Sequence, residues 1–458
     1  MEAINMRIKK INVQGLFGIF DHNVPLNLAD RLTIIHGPNG FGKTILLSMI
    51  NSLFNTDYAS LRRTPFRKLS IHFDDGGLLQ VNKSFQPDLF GKPIYKEEND
   101  ISLVYSNANN KFKPYLIEPV KLSAFPSEIR DFLSNEIPGL DKIDSDTWIY
   151  YPSGEKLSLE AIIYRFKDKF PPGLIKIDDE PQWLKNIKQS IQVRFIETQR
   201  LFAFYDLRRK RRYNRRSFLI RSVLNYSEEL AYLIQMKLAI YAELSQSLDR
   251  TFPIRLIKGD ESAKLNSDEL KIKLNELEKK RSKLRSVGLL DKNEEISFEN
   301  VKNLEEHNAS ALSIYVNDVE TKLSVFEDLT NKIDLLANII NKKFLYKVMS
   351  ISKMDGFIFE ANGEKLSPSS LSSGEQHELV MLYELLFKLP PNSLVLIDEP
   401  ELSLHVFWQQ QFLKDLQRIS KISTFDAIIA THSPQIIHDR WDLTVELKGP
   451  NNAGIPNR

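Results

Sequence analysis

Lys43 and Thr44 close the run Gly37-Pro38-Asn39-Gly40-Phe41-Gly42-Lys43-Thr44. This is the G-x-x-x-x-G-K-[ST] spacing of a phosphate-binding loop. Glycines let a backbone curl until its N–H groups, here those around Asn39, Gly40 and Gly42, face phosphate oxygens. A helix N-terminus presents positive charge to the same anion. Lys43 adds a point charge for β- and γ-phosphates, and the Thr44 hydroxyl suits a Mg²⁺ shell. A chance glycine-rich turn would lack the flanks found here. Apolar Leu32-Thr33-Ile34-Ile35 reads as a buried strand before the run, and Ile45 to Ile50 as a helix start after it.

Four more groups of residues can do chemistry, three of them far along the chain. Leu394 to Ile397 is a buried strand ending in Asp398 and Glu399. Asp398 can hold Mg²⁺, and Glu399, aimed to the other side, can orient or deprotonate an attacking water. Two acids after an apolar strand are costly unless they serve an ion or simply lie at the surface. Ala427-Ile428-Ile429-Ala430-Thr431-His432-Ser433 puts a histidine at another strand end, in reach of a γ-phosphate, although a lone histidine is more often structural. Leu371-Ser372-Ser373-Gly374-Glu375-Gln376 precedes a helix. Ser372, Ser373 and Gly374 could bind an anion there, or Ser372 could serve as a plain N-cap. Gln199, after Val193 to Thr198, is the candidate to sense Mg²⁺ and the attacking water.

The elements that must position these residues are legible in outline. At 458 residues the chain can bury a large core and hold more than one structural unit. Its 42% apolar and 27% charged content is that of an ordinary soluble protein. A net charge of +2 gives no global case for nucleic acid, so any such case is local. Cysteine is absent, which excludes disulfides and thiolate metal sites. No apolar run spans a bilayer and the first residues lack a signal h-region, so no membrane association and a cytoplasmic location are expected.

Met6 to Val13 alternates as a strand, and Leu69–Phe73 and Leu78–Val81 flank an Asp75-Gly76-Gly77 turn. Residues 86–125 are polar and proline-interrupted. Trp148 to Tyr151 reads as a strand before a turn, and Ser158 to Phe170 as a helix. Arg208 to Arg216 carries seven cations in nine residues, followed by a helix over about Tyr226 to Arg250. That run is compatible with gripping phosphates, with a solvated helix face or with a subunit contact. From Leu312 through Val316, Val319, Leu323, Phe326, Thr330, Ile333, Ala337 and Ile340 to Phe344, apolar positions step by four and three without a break. Leu270, Leu274, Leu277, Arg281 and Leu284 keep the same rhythm. The spacing predicts a short antiparallel helical hairpin, against the alternative of ordinary bundle helices. Phe357 to Glu360 with Asn362-Gly363 returns to a β-hairpin.

Taken in order, these pieces resemble the ABC-type ATPase head of SMC-like proteins, RecF and the OLD family. Gly37–Thr44 looks like Walker A, Gln199 like the Q-loop and Leu371–Gln376 like the signature motif. Leu394–Glu399 looks like Walker B, His432 like the switch histidine, and Pro400 to His405 like the D-loop region. Ser373 stands where the consensus prefers glycine. The resemblance implies an α/β fold: a P-loop NTPase head with an antiparallel β subdomain and an inserted helical or short coiled-coil arm. It implies residues 1–205 and 346–458 as the two parts of the head and 206–345 as the basic segment and insertion. It further implies Mg²⁺-dependent ATP hydrolysis with Glu399, His432 and Gln199 as catalytic groups. Asn39, Gly40, Gly42, Lys43, Thr44, Ser372, Ser373 and Gly374 would contact ATP, and Thr44, Asp398 and Gln199 the metal. Heads of this kind pair as homodimers or higher homo-oligomers, with the signature of one copy closing on ATP held by the other.

Only 26 of the 458 residues follow His432, so the Toprim nuclease domain of OLD proteins is not expected, nor any nuclease activity of the chain's own. The remaining profile, with Phe195-Ile196-Glu197-Thr198-Gln199-Arg200-Leu201, resembles the ATPase subunit of Septu-type anti-phage systems, also found with some retrons. That resemblance implies antiviral defence and a separate HNH endonuclease subunit under nucleotide control. The rivals are an SMC/RecF-like repair ATPase that binds DNA itself, for instance through Arg208–Arg216, and a scaffold that binds ATP with little turnover. A transporter ATPase is disfavoured because the arms have no role there.

Overall fold

A computed structural model describes residues 6–84, 101–117, 155–170, 179–197, 215–258, 265–290, 306–402 and 406–449, with short stretches at 86–87, 93–94, 133, 136–137, 139–142, 147–150 and 404. The chain divides into two compact units, Met1–Phe218 with Lys388–Arg458, and Leu219–Phe387.

The first unit holds two large sheets. One is antiparallel, built from β1 (Ile8–Leu16), β2 (Phe20–Pro25), β4 (Lys68–Phe73), β5 (Leu78–Lys83), β6 (Ile101–Ser106) and β7 (Tyr115–Ile117) in the order β2-β1-β4-β5-β6-β7. The expected hairpin is β4–β5, and Gly76 takes φ +85° in its turn. The other sheet is parallel throughout. It contains β3 (Leu32–His36), β8 (Val193–Glu197), β9 (Leu394–Asp398), β10 (Asp426–Ala430) and β11 (Thr444–Glu446) in the order β8-β9-β10-β3-β11. Its three central strands are mostly apolar and buried over most of their length, as strands covered on both faces must be. Helix α1 (Lys43–Phe54) joins the sheets in one core. Leu46, Leu47, Ile50 and Leu53 cluster with Ile11, Val13 and Ile71 of the antiparallel sheet and with Leu396 and Ile428 of the parallel one. A smaller three-stranded sheet, Leu140–Lys142, Thr147–Tyr150 and Glu155–Ser158, packs with the Leu159–Arg165 helix around Trp148 and Ile162. Of residues 86–125, positions 88–92, 95–100 and 118–125 lie outside the described residues.

The second unit is helical with one β-hairpin sheet. Its first helix runs Arg215–Lys258, 44 residues, longer at both ends than the sequence reading and passing through Pro253. Two helices, Ser267–Ser286 and Glu306–Ser324, carry the heptad rhythm, but they do not form the antiparallel hairpin expected of them. Leu265, just before the Ser267–Ser286 helix, donates its N–H to Ser313 Oγ, and Lys273 pairs with Glu320. Lys283 Nζ, in the last turn of that helix, donates to Asn331 Oδ1, past the end of the Glu306–Ser324 helix. Rising numbers on one side meet rising numbers on the other, so the two helices run parallel. The antiparallel partner is the long first helix, where Arg255 pairs with Asp318 and Asp249 with Lys322. A heptad pattern marks a buried stripe and is blind to strand direction.

The seam is also not continuous. The helix ending at Ser324 gives way at Phe326, fully buried, to a second one, Glu327–Lys343. Both helices still bury the expected positions Val316, Val319, Leu323, Ile333 and Ile340, while Leu312 and Ala337 are half-buried. The hairpin of Val348–Ser352, Gly356–Ala361 and Glu364–Leu366 follows, with Asn362 and Gly363 both at positive φ as a two-residue turn requires. A buried ion pair of Lys343 with Glu378 and a Tyr226–Tyr383 stack at 4.6 Å hold the helices together. The architecture is thus an α/β P-loop head with an antiparallel β subdomain and an inserted helical region. Among the described residues no helix is long and apolar enough to cross a membrane.

Candidate functional site

Parallel register brings the chemistry to one edge. Asp398 of β9 aligns with Ala430 of β10, and Ala430 with Ile35 of β3. The three strands therefore finish level, and the loops leaving them begin at Gly37, Glu399 and Thr431. Ligands of open parallel sheets bind outside this carboxyl edge.

The loop after β3 is shaped by its glycines. Gly37, Gly40 and Gly42 all have positive φ, and a Cβ on Gly42 would lie 2.6 Å from Leu16 Cδ2. Gly42 is also the N-cap of α1, which therefore receives no side-chain cap. The first-turn N–H groups of a 12-residue helix are left for a ligand, the cradle that a phosphate needs. Phe41 is anchored from behind, its carbonyl 2.8 Å from His22 Nε2. Asn39 and Gly40 are exposed at the loop's outer side.

Lys43 is buried, and its ammonium donates to the carbonyls of Gly37 at 2.8 Å and Pro38 at 3.1 Å. Its Nζ also lies 3.4 Å from His432 Nδ1. Burial lowers the Lys43 pKa, and Glu399, Asp398 and Glu401 oppose that shift. Burial and the nearby Lys43 cation lower that of His432, against the pull of Glu399 and Glu401. A neutral imidazole facing an ammonium accepts at Nδ1, so its proton sits on Nε2. That nitrogen is 4.0 Å from Glu399 Oε1.

The Thr44 hydroxyl donates to Asp398 Oδ1 at 3.1 Å. Two hard oxygens side by side fit Mg²⁺, which commonly takes one or two protein oxygens and completes its shell with water and phosphate. Glu399 stands in the left-handed region at φ +47°, with its N–H donating to Ala430 O at 2.8 Å. A side chain held in such backbone is strained, a feature that clusters at working sites.

Of the residues singled out by sequence, Lys43, Thr44, Asp398, Glu399 and His432 come together. Ser372, Ser373 and Gly374 lie in the second unit. There Ser372 caps the Ser373–Tyr383 helix in a complete capping box with Glu375. Lys347 Nζ reaches both Glu375 oxygens, at 2.9 and 2.7 Å. Ser373 is exposed, and the space over Gly374 is open. Gln199 and positions 208–214 of the basic run lie outside the described residues, while Arg215 and Arg216 begin the long helix. Sequence reasoning placed Glu401 in the D-loop-like run Pro400 to His405 without giving it a role of its own; it accepts from both Thr431 and the His432 N–H. The only signal was a third acid directly after Asp398-Glu399-Pro400.

A probable ATPase of retron Ec83 from Escherichia coli is 31% identical over 168 residues, covering 30% of this chain and 31% of that protein. The chain thus matches about a third of the length of that curated relative. Among solved structures, the Smc head domain of Pyrococcus furiosus with bound ScpA C-terminal domain aligns at TM-score 0.33 and 13% identity, over 97% of this chain and 94% of that one. The SMC head domain of Thermotoga maritima aligns at TM-score 0.30 and 12% identity, over 94% and 91%. The fold assignment rests on the strand order and loop geometry described above. The family description for an AAA ATPase domain matches residues 6–437, nearly the whole chain, and with a phosphate loop, two acids and a histidine gathered at one sheet edge the chain belongs to the AAA ATPase domain family.

Proposed function

We propose that the protein hydrolyses ATP in a Mg²⁺-dependent reaction and that its nucleotide state controls a separate effector. The observation that carries this reading is the convergence of Lys43, Thr44, Asp398, Glu399 and His432 at one sheet edge. The backbone around Asn39, Gly40 and Gly42 holds the phosphates, and Lys43 exchanges its loop carbonyls for phosphate oxygens. Thr44 and Asp398 would hold the metal, and the resemblance gives Gln199 the same role. When bound, Mg²⁺ supplies charge neutralisation on the phosphates. Glu399 orients the water and takes its proton. His432, neutral, donates from Nε2 to the γ-phosphate. Such proton transfer contributes about 10²–10⁴-fold.

Functionally the head comprises residues 1–205 and 346–458, because Ser372, Ser373 and Gly374 serve it in trans. Two copies close head to head, and the signature segment of one completes the ATP site of the other. The name of the retron relative supports ATP hydrolysis, and the resemblance to Septu-type systems supports a place in antiviral defence. The effector is then an HNH endonuclease subunit, and the ATPase is its regulatory partner, of the Septu kind.

The test uses Glu399→Gln. Hydrolysis should fall by at least about 100-fold while nucleotide binding persists. Light scattering with ATP should show the variant trapped as a dimer or higher assembly. Co-expression with a candidate HNH protein should give a stable complex whose DNA cleavage changes with nucleotide. A monomer at all ATP concentrations would remove the trans reading. DNA binding by the isolated chain, lost on replacing Arg211, Arg212, Arg215 and Arg216, would favour the repair ATPase instead.

A further inference from the structure

One carboxylate ties the loop after β9 to the loop after β10. Glu401 Oε1 accepts from Thr431 Oγ1 at 2.8 Å and from the His432 backbone N–H at 3.0 Å. Thr431 is fully buried, and its own oxygen accepts from Ser433 N–H at 2.9 Å. Gln409, on helix α2 (Val406–Ser423), reinforces the same junction. Its Nε2 donates to the carbonyls of Glu401 and Leu404, each at 3.2 Å, and its Oε1 accepts from Ser433 Oγ at 3.2 Å. The backbone entering and leaving His432 is thereby held from both sides, while the imidazole itself remains free to face Lys43 and Glu399.

Glu401 Oε2 is buried with no hydrogen-bond partner among the described residues. An unsatisfied buried oxygen is costly, so a residue that served packing alone would do better without it. What Glu401 supplies is one oxygen that accepts twice at a defined place. We infer that Glu401 is a positioning residue: it fixes the Thr431–His432 backbone so that the imidazole meets the γ-phosphate, and it acts through its acceptor oxygen rather than its charge. This inference rests on the reading of His432 given above. Misplacement of a reacting group by about 1 Å can cost about 10²-fold in rate.

Four variants test it: Glu401→Ala, Glu401→Gln, His432→Ala and the Glu401→Ala/His432→Ala double. The readouts are steady-state ATP hydrolysis and hydrogen–deuterium exchange at the His432 amide. Glu401→Ala should lower kcat by at least about tenfold with KM changed less than about twofold, the mark of a lost transition-state interaction. The His432 amide should exchange at least about tenfold faster. Glu401→Gln keeps an acceptor oxygen and should restore both quantities to within about threefold of wild type. In the His432→Ala background, adding Glu401→Ala should cost less than about twofold, because residues acting as a unit are not additive. Wild-type kcat in Glu401→Ala, a Gln variant as poor as the Ala variant, or full additivity in the double would each overturn the inference. Wild-type hydrolysis by His432→Ala would instead overturn the role of His432, and amide exchange would still report whether Glu401 holds that loop.

Discussion

The Thr44 hydroxyl donates to Asp398 Oδ1 across 3.1 Å, although 354 positions separate the two residues in the chain. One belongs to the first turn of α1 and the other ends β9. Replacing Thr44 by Val keeps the β-branched shape and deletes the donor. Hydrolysis is expected to fall by about 10²-fold, as when one transition-state contact is removed. Because Thr44 is exposed, unfolding free energy should change by less than about 1 kcal/mol. Rates measured over a Mg²⁺ titration, together with denaturant melts, check both halves.

Gly42→Ala should damage binding and stability at once. The residue takes φ +84°, and the added Cβ would press on buried Leu16 at 2.6 Å. The backbone term alone costs about 1–2 kcal/mol. Thermal unfolding should therefore shift down, and fluorescent nucleotide binding should weaken. A variant that melts and binds as wild type would mean the loop is less constrained than its geometry indicates.

Gly356→Ala is expected to be the more severe change, and in the second unit. A Cβ there would fall 1.9 Å from the Ser227 carbonyl oxygen. The Ser227 hydroxyl also bridges the turn, donating to Asp355 O and accepting from Phe357 N–H, both at 2.7 Å. Neither partner is a flexible side-chain tip that could move aside. A loss above about 3 kcal/mol is expected, in the range reserved for clashes in packed interiors. Limited proteolysis of residues 219–387 against 6–84 would show which unit opens.

Glu375 sets a pH dependence. Burial pushes its carboxyl up, but Lys347 and the Ser372 donors outweigh that and hold it below the usual glutamate range. A folded pKa below the unfolded one means stability that is present above the unfolded value and is lost as pH falls through the folded value. Wild type should therefore lose more stability than Glu375→Gln between about pH 6 and about pH 3. Parallel curves for the two proteins would contradict the assignment.

Much of the site could be read from residue order because it is written in short local patterns. A glycine loop between an apolar run and a helix start needs no distant partner to be recognised, and neither do two acids closing a buried strand. Gly76 and Asn362-Gly363 announced their hairpins in the same way. The heptads of residues 270–284 and 312–344 named most of the buried positions correctly and the geometry wrongly. Direction and the break at Phe326 depend on which helix each stripe meets. Ser372 illustrates a different limit: the residues that suggest an anion site are also those that cap a helix, and here the cap is made.

Residue order thus established which side chains could bind phosphate, hold a metal or move a proton, since those properties belong to the groups themselves and to spacings of a few residues. It could not say that β3 lies between β10 and β11, that Asp398 and Ala430 finish level, or that Glu401 would grip the His432 amide. Periodicity encodes which face of an element is buried, not what covers it or in which direction the neighbour runs. Those choices are made by the packing of whole elements, and they alone turn residues scattered from 43 to 432 into one site.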